Sequence, residues 1–587
     1  MKDLTKLIVI SSTTVLPLLL AYSTIFLNLH NSSLLLSLSV LYGLIIIVMF
    51  AYNAYAYVSE RLFTFIIILL TNSFVIPTIL AKDPVLGGDL GRELFISHVV
   101  KEFGNISSLE TAGLKDQITY TGHVFLAVIL QSLTRLSSAT INSVLSLLTA
   151  SVTALFILIF ISHILKKNIL LAFIMVLLIS SQYNFIYLSQ QGLRSTIWIS
   201  LFIATLIAIL LKQNRSNRIL SLILYCSLAL FYYSYSMLFI VYLFLLTIIY
   251  YLIRRNISVL KISIVYSVIT IIWHLDVSYV KNLFPSIVES FLSSLKEIFT
   301  VSEVETVYLE SFEYSLAWRI TILLNMVYAL ITGLFSIMAL YNLIIKRVKV
   351  TDDKILFIAG IFFGTFTIFM TSINTGLRLS IGFNRALYMG LVASIPYICS
   401  FLSRCFSSDS AHNSRTFVRT GSVIIFTFLS LTLITYATNT GLLHNMLGDD
   451  CLPYMGREKE SRRYATWSVP YIDVVGYKWI FYNHKGGGKI IEHSYMDNVY
   501  LYLGSEIHFD QNILNKFVTF KDYHVSFTNL NRKEDFVIPI RRINLIRNEI
   551  FLKGASLGIS EKLNVSIFSN NMSVIYNNGW FLVLSSG

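Results

Sequence analysis

Residues 142–187 read NSVLSLLTASVTALFILIFISHILKKNILLAFIMVLLISSQYNFIY. Two apolar runs, 142–164 and 169–187, flank Lys166 and Lys167. Each is long enough to cross a bilayer, because a helix rises ~1.5 Å per residue against a hydrocarbon core of ~30 Å. Two such runs hinged on lysines predict a pair of spans whose short loop lies in the cytoplasm, where Lys and Arg collect. The pattern extends in both directions. Runs at 7–28, 34–57 and 62–80 precede it, and runs at 193–211, 219–234, 237–253, 258–275, 318–345, 355–374, 386–403 and 417–437 follow it. The reading is an α-helical polytopic membrane protein with about 13 transmembrane helices.

Composition agrees. The chain has 587 residues, 55% hydrophobic and 13% charged, with mean hydropathy +0.69, which excludes an ordinary water-soluble protein. The net charge of +13 resides largely in loops at span ends, so it argues for membrane topology and not for nucleic acid. Cys226, Cys399, Cys405 and Cys451 have neither metal-ligand nor disulfide-framework spacing. The first run follows Lys2 and Lys6 but lacks a small-residue cleavage site and leads at once into another span, so it is expected to remain as a helix.

Basic loops alternate along the chain: Lys2 and Lys6, Arg61, Lys166 and Lys167, Lys212 with Arg215 and Arg218, Arg254 and Arg255, Lys346 with Arg347 and Lys349, and Arg404 with Arg415 and Arg419. This side is expected to be cytoplasmic and to hold the N-terminus. Gly122 to Leu133 would reverse the alternation if it crossed, so it reads as an interfacial or re-entrant helix. Residues 1–437 then form a transmembrane domain with outer loops 81–141 and 276–317, and 438–587 an extracytoplasmic C-terminal domain. That domain reads as α/β: a helical stretch at 473–482, then Gly486 to Gly488, a strand at 489–492, and further strands at 550–552 and 573–576. A surface helix is expected at 281–297. Internal repeats, interrupted helices and intramembrane charge, the usual marks of a transporter, are not evident.

The candidate chemistry lies on the outer side. Residues 87–100 read GGDLGRELFISHVV. A helix starting near Asp89 sets Asp89 and Glu93 on one face, four apart. Such carboxylates suit a shared divalent cation, Mg or Mn, or a base and its orienting partner; equally, Asp89 suits a helix cap and Glu93 a salt bridge. His98 follows as a further cavity candidate, though a solvated histidine reads the same way. Arg194, Arg378 and Arg385 stand in outer loops where topology does not require them, with Gln191, Asn384 and Tyr388 beside them. A guanidinium fork binds phosphate bidentately, and the anion at this depth is a lipid phosphate; snorkelling to ordinary headgroups is the plainer alternative. Tyr233 and Tyr235 open another outer junction, where aromatic rings suit a sugar or an interfacial belt. Asp276, just after Trp273 and His274, is a spare acid. There is no phosphate-binding P-loop, no Gly-x-Ser-x-Gly elbow and no His-Glu-x-x-His pair.

Taken in order and by topological side, several segments resemble an archaeal family of polytopic membrane proteins that is itself similar to the GT-C glycosyltransferases. They are Gly88-Asp89 through Glu93, Gln191 to Arg194, Tyr233 to Ser236, Trp273 to Ser278, Asn384-Arg385 with Tyr388, Asn439 to Leu443, and Ile575 to Gly579. The resemblance implies a GT-C-like fold and a cavity open to the lipid. It further implies a polyprenyl-phosphate-linked sugar as donor, a glycan or protein acceptor at the cell surface, an acid at Asp89 acting as base or metal holder, and basic residues on the donor phosphate. Trp580 and Phe581, after Gly579, depart from the family pattern, as does Leu90-Gly91-Arg92 between the acids. The competing classes are a lipid-linked glycan flippase and a surface membrane protein without catalysis.

Overall fold

The computed structural model describes the helices and strands named below, together with residues 74–75, 96–97, 100–101, 135–136, 181–182, 255, 273–274, 351, 440–441, 479–480 and 483. The first half of the chain holds α1 (Lys2–His30), α2 (Leu34–Asn53), α3 (Glu60–Ser73), α4 (Ile76–Leu80), α5 (Thr121–Thr134), α6 (Ser138–Leu165), α7 (Ile169–Ser180), α8 (Tyr183–Ile186) and α9 (Leu193–Leu210). Then come α10 (Arg215–Phe231), α11 (Tyr233–Arg254), α12 (Ser258–Ile272), α13 (Leu316–Ile344), α14 (Asp352–Ile373), α15 (Phe383–Phe406), α16 (Ser414–Asn439) and α17 (Leu442–Leu447). Every apolar run read from the sequence coincides with described helix over most of its length. Among the described residues, Leu34–Ala51, Thr140–Ile164, Tyr235–Arg254 and Leu323–Ile344 are long and apolar enough to cross a membrane by themselves. The other spans are shorter apolar stretches such as Leu170–Ser180 and Thr196–Ala208.

Two spans are broken, against the expectation of uninterrupted helices. The run 62–80 divides into α3 and α4 at Phe74-Val75 because Pro77 has no N–H to return to the Ser73 carbonyl. Thr71 and Ser73 already bond back to Ile67 and Leu69 (2.9 and 2.6 Å). The run 169–187 divides at Ser181-Gln182, where Ser180 Oγ donates to the Val176 carbonyl (2.7 Å) and Ser181 Oγ and Gln182 Nε2 both donate to that of Leu178 (2.8 and 2.9 Å). Side chains that take carbonyls near a helix end compete with its continuation.

Helix α5 covers the stretch expected to be interfacial or re-entrant. Its start is tucked against the end of α10, an added Cβ at Gly122 falling 3.1 Å from the Leu230 carbonyl, and its end turns through Arg135 (φ 59°) into α6. Val124, Ala127 and Gln131 are buried, whereas Phe125, Ile129 and Leu133 are 45, 53 and 76% exposed. One face packs on the bundle and the other presents hydrocarbon outward, as it also does on the long apolar helices α2 and α13.

Helix α6 is central, packing against α3, α5, α7, α9 and α15. Helices α14 and α15 approach so closely that small residues are obligatory: an added Cβ at Gly360 would lie 2.3 Å from the Ala393 carbonyl, and one at Gly364 only 2.4 Å from that of Gly390. An aromatic core of Trp198, Phe202, Tyr225, Phe239, Tyr242 and Tyr266 joins α9 to α12.

After α17 the chain turns to strands: β2 (Ser468–Val469), β3 (Lys489–Glu492), β4 (Phe517–Thr519), β5 (Phe536–Ile540), β6 (Glu549–Lys553), β7 (Ile559–Asn564), β8 (Ser573–Asn577) and β9 (Leu582–Ser585). A five-stranded sheet has the order β4-β3-β5-β9-β8, with β3 parallel to β4 and β5 and the remaining pairs antiparallel. β6 and β7 form a separate antiparallel pair. The expected strands at 489–492, 550–552 and 573–576 are β3, the middle of β6 and most of β8. Of the expected helix at 473–482, Trp479 and Ile480 are helical, and Asn483 Nδ2 donates to the Trp479 carbonyl (2.9 Å). The remainder of that helix, and the surface helix expected at 281–297, lie outside the described residues. One strand belongs to the first long loop: β1 (Val85–Leu86) pairs antiparallel with β2, Val85 opposite Val469 and Leu86 opposite Ser468.

Candidate functional site

The candidate residues whose backbones are described stand at helix starts at the end of the bundle away from the basic loops. Helices α6, α9, α11, α13 and α15 begin there, and α3/α4, α7/α8, α10, α12, α14 and α16 finish there. The observed contacts respect that assignment. Asn439 Nδ2, closing α16, donates to the Ser181 carbonyl at the break after α7 (2.8 Å). Tyr436 lies against Phe74 at the break after α3, ring centroids 4.4 Å apart. Trp198 of α9 reaches the end of α10, and β1 reaches β2. In each case two segments that charge alternation puts on one side meet on one side.

The polar side chains at this end are committed first to closing helices. The last carbonyls of α10 have no intrahelical donor. Leu228 O is served by Trp198 Nε1 (3.0 Å) and by Ser236 Oγ (2.6 Å). Gln182 Nε2 also donates to Tyr328 OH (3.1 Å), whose hydroxyl shares a hydrogen bond with Thr435 (2.7 Å), so the break after α7 is fastened to α13 and α16. Sequence reading passed over Gln182, Tyr328 and Thr435; the polar triplet Ser180-Ser181-Gln182 inside an apolar run was the available signal.

The candidate residues fall into three groups. Asp89, Glu93, His98, Gln191 and Arg378 lie outside the described residues. Arg194 is the second residue of α9, Tyr233 the first of α11, and Asn384 and Arg385 the second and third of α15; their backbones are described and their side chains are not. Tyr235 and Tyr388 are described in full. Tyr235 is completely buried, its ring 5.0 Å from that of Trp198, inside the aromatic core. Tyr388 stands one turn beyond Arg385 and is 1% exposed, and its hydroxyl has no hydrogen-bond partner among the described residues. Tyr436 is its electrostatic neighbour.

Helices α9 and α15 touch each other, and both touch α6. Their opening turns therefore bring Arg194 and Asn384-Arg385 to one end of one helix cluster, with N–H groups that favour an anion. Immediately after β1 come Gly87, Gly88 and Asp89, so the paired strand ends at the acid segment. Among the described residues no group of three or more His, Cys, Asp and Glu side chains could hold a metal ion.

No family model matches the chain, and no curated protein matches it. Among solved structures, it is similar to ArnT from Cupriavidus metallidurans bound to undecaprenyl phosphate, at a TM-score of 0.43 and 12% identity over 89% of this chain and 97% of that one. It is also similar to the same protein in the apo state, at a TM-score of 0.39 and 10% identity over 86% of this chain and 94% of that one.

Proposed function

We propose that the chain is a membrane-embedded, GT-C-type glycosyltransferase that moves a sugar from a polyprenyl-phosphate donor to a glycan or protein acceptor on the outer face of the cell membrane. The observation that carries this reading is the packing of α9 against α15, because each has in its first turn an arginine that membrane topology does not call for. In this reading the N-terminus is cytoplasmic, and the C-terminal α/β region is extracytoplasmic and covers the site.

The chemistry follows from displacement at an anomeric carbon. The acceptor hydroxyl oxygen attacks that carbon and the bond from carbon to phosphate oxygen breaks. Asp89 takes the hydroxyl proton, Glu93 orients it, and Arg194, Arg378 and Arg385 neutralise the departing phosphate. A divalent cation, Mg or Mn, would be held by Asp89 and Glu93. Gln191, His98, Tyr233, Asn384 and Tyr388 are assigned to the cavity around the donor sugar, whereas Tyr235, buried against Trp198, belongs to the aromatic core.

The test is transfer in reconstituted membranes from a panel of radiolabelled polyprenyl-phosphate sugars, with and without divalent cation. Asp89→Asn is expected to lower the rate by roughly 10²–10⁴-fold, the usual worth of a positioned base, and Arg385→Ala to abolish donor use. A second reading, a lipid-linked glycan flippase, gains from the breaks after α3 and α7, since interrupted helices line many transport paths. Movement of a fluorescent lipid-linked glycan between leaflets by wild type and Asp89→Asn alike, with no transfer across the panel, would replace the first reading by the second.

A further inference from the structure

Helix α5 and the start of α6 form a hairpin turned at Arg135, whose N–H donates to the Gln131 carbonyl (2.8 Å). Ala127, Ile141, Leu145 and Ile197 make a small apolar cluster between α5, α6 and α9, separate from the main core. Gln131 follows Ala127 by one turn and Asn142 follows Ile141, so two amides border that cluster from the two arms of the hairpin. Both are sealed from solvent, at 2 and 3% exposure. Gln131 Nε2 and Asn142 Nδ2 have no acceptor among the described residues. Interiors rarely leave buried donors unmet, and a lipid-facing bundle has less opportunity than most to hydrate them.

The three helices that form the junction supply more donors and no carboxylate. Helices α6 and α9 both begin at this level, so the unbonded N–H groups of two first turns accompany the amides. Arg194 stands in the first turn of α9, three residues ahead of Ile197, and α5, α6 and α9 contain neither Asp nor Glu. Such a set calls for a group that only accepts. The exposed apolar face of α5 through Phe125, Ile129 and Leu133 identifies how that group arrives: on a lipid.

We propose that Gln131 and Asn142 donate to the phosphate oxygens of a lipid-linked phosphate seated at the α5–α6–α9 junction. The proposal rests on the transferase reading, in which this phosphate is the donor's and Arg194 belongs to the same site. The test is calorimetric titration of the purified full chain with farnesyl monophosphate and, separately, with inorganic phosphate, in wild type, Gln131→Met, and Gln131→Leu combined with Asn142→Leu. Hydrogen bonds to a charged acceptor translate into roughly ten- to hundredfold in affinity each. Farnesyl phosphate is expected to bind about tenfold more weakly to Gln131→Met and more weakly still to the double variant, with inorganic phosphate much weaker throughout. The unliganded variants are expected to melt no lower than wild type, because each change removes a buried donor with no acceptor among the described residues. Unchanged affinity for farnesyl phosphate in Gln131→Met and in the double variant overturns the proposal, and equal affinity for inorganic phosphate overturns its lipid part. No sugar enters the measurement, so absence of transfer from every donor would sink the transferase and leave this site standing, and unchanged affinity would do the reverse.

Discussion

Replacing Gly364 by alanine tests whether the candidate site depends on the register of α15 against α14. The new Cβ would fall 1.9 Å from Ser394 Oγ and 2.4 Å from the Gly390 carbonyl oxygen. The serine hydroxyl can rotate away. The carbonyl belongs to the α15 backbone, so reaching an ordinary 3.4 Å contact requires the two helices to part by about 1 Å. Alanine favours a helix over glycine by about 0.8–1 kcal/mol, whereas forcing an extra carbon into a packed interface costs about 1–3 kcal/mol. The clash wins, for a net loss of up to about 2 kcal/mol. Its larger effect is on function, because α15 carries Asn384, Arg385 and Tyr388 in its first two turns, and a misplacement of about 1 Å at reacting groups costs on the order of a hundredfold in rate. The control is Gly333→Ala in α13, where nothing lies within 4 Å of the added carbon and only the helix gain remains. Thermal unfolding in detergent and the sugar-transfer assay are run on both variants. The expected pattern is a lower melting temperature and depressed transfer for Gly364→Ala, with an unchanged or higher melting temperature and full transfer for Gly333→Ala. A Gly364→Ala protein that melts with wild type and transfers at its rate would show that α14 and α15 do not meet through these residues.

Two more outcomes follow from the contacts at the same end. Asn439→Leu leaves the Ser181 carbonyl without its side-chain donor and is expected to lower stability by about 1–3 kcal/mol, read from denaturant unfolding; no change would mean that the break after α7 is held by other groups. Cysteines at Val85 and Val469 are expected to form a disulfide in intact membranes, because facing antiparallel residues have Cα atoms about 4.5–5.5 Å apart, inside the range a disulfide spans. Peptide mapping without reduction reads the link, and its absence under mild oxidant would refute the β1–β2 pairing.

Much of the helical fold was legible because hydropathy reports burial in lipid directly. Lys166-Lys167 between two apolar runs is a signal that side-chain packing cannot override, and α6 ends and α7 begins on either side of it. The breaks were not legible for the same reason. Phe74, Val75 and Ile76 are as apolar as the helix around them, so only Pro77 marked the interruption, and at Ser181 the decisive event is which carbonyl a hydroxyl chooses. In the C-terminal region β3, β6 and β8 announced themselves by Ile, Phe, Val and Tyr. β7, with Ser560, Glu561 and Lys562, did not, nor did β5, whose Pro539 argues against an interior strand. The sheet accommodates that proline because the β3 ladder reaches only Val537, so Pro539 is bonded on the β9 side alone. Of the candidate site, the sequence singled out Arg194 and Asn384-Arg385 as arginines out of place, and it passed over the buried amides of Gln131 and Asn142, since a single amide in an apolar run looks the same whether it closes a helix or is left unbonded.

The pairing of Val85 with Val469 also sets a timetable for biogenesis. The ribosome makes β1 after the first three spans and β2 only after the last of them, so β1 waits without its partner strand while the ten spans between are made. Contacts between such distant parts of a chain close late, and until then the first loop is open to proteases and to wrong partners. The β1–β2 bridge therefore joins the two ends of the membrane domain only once the last span has been made.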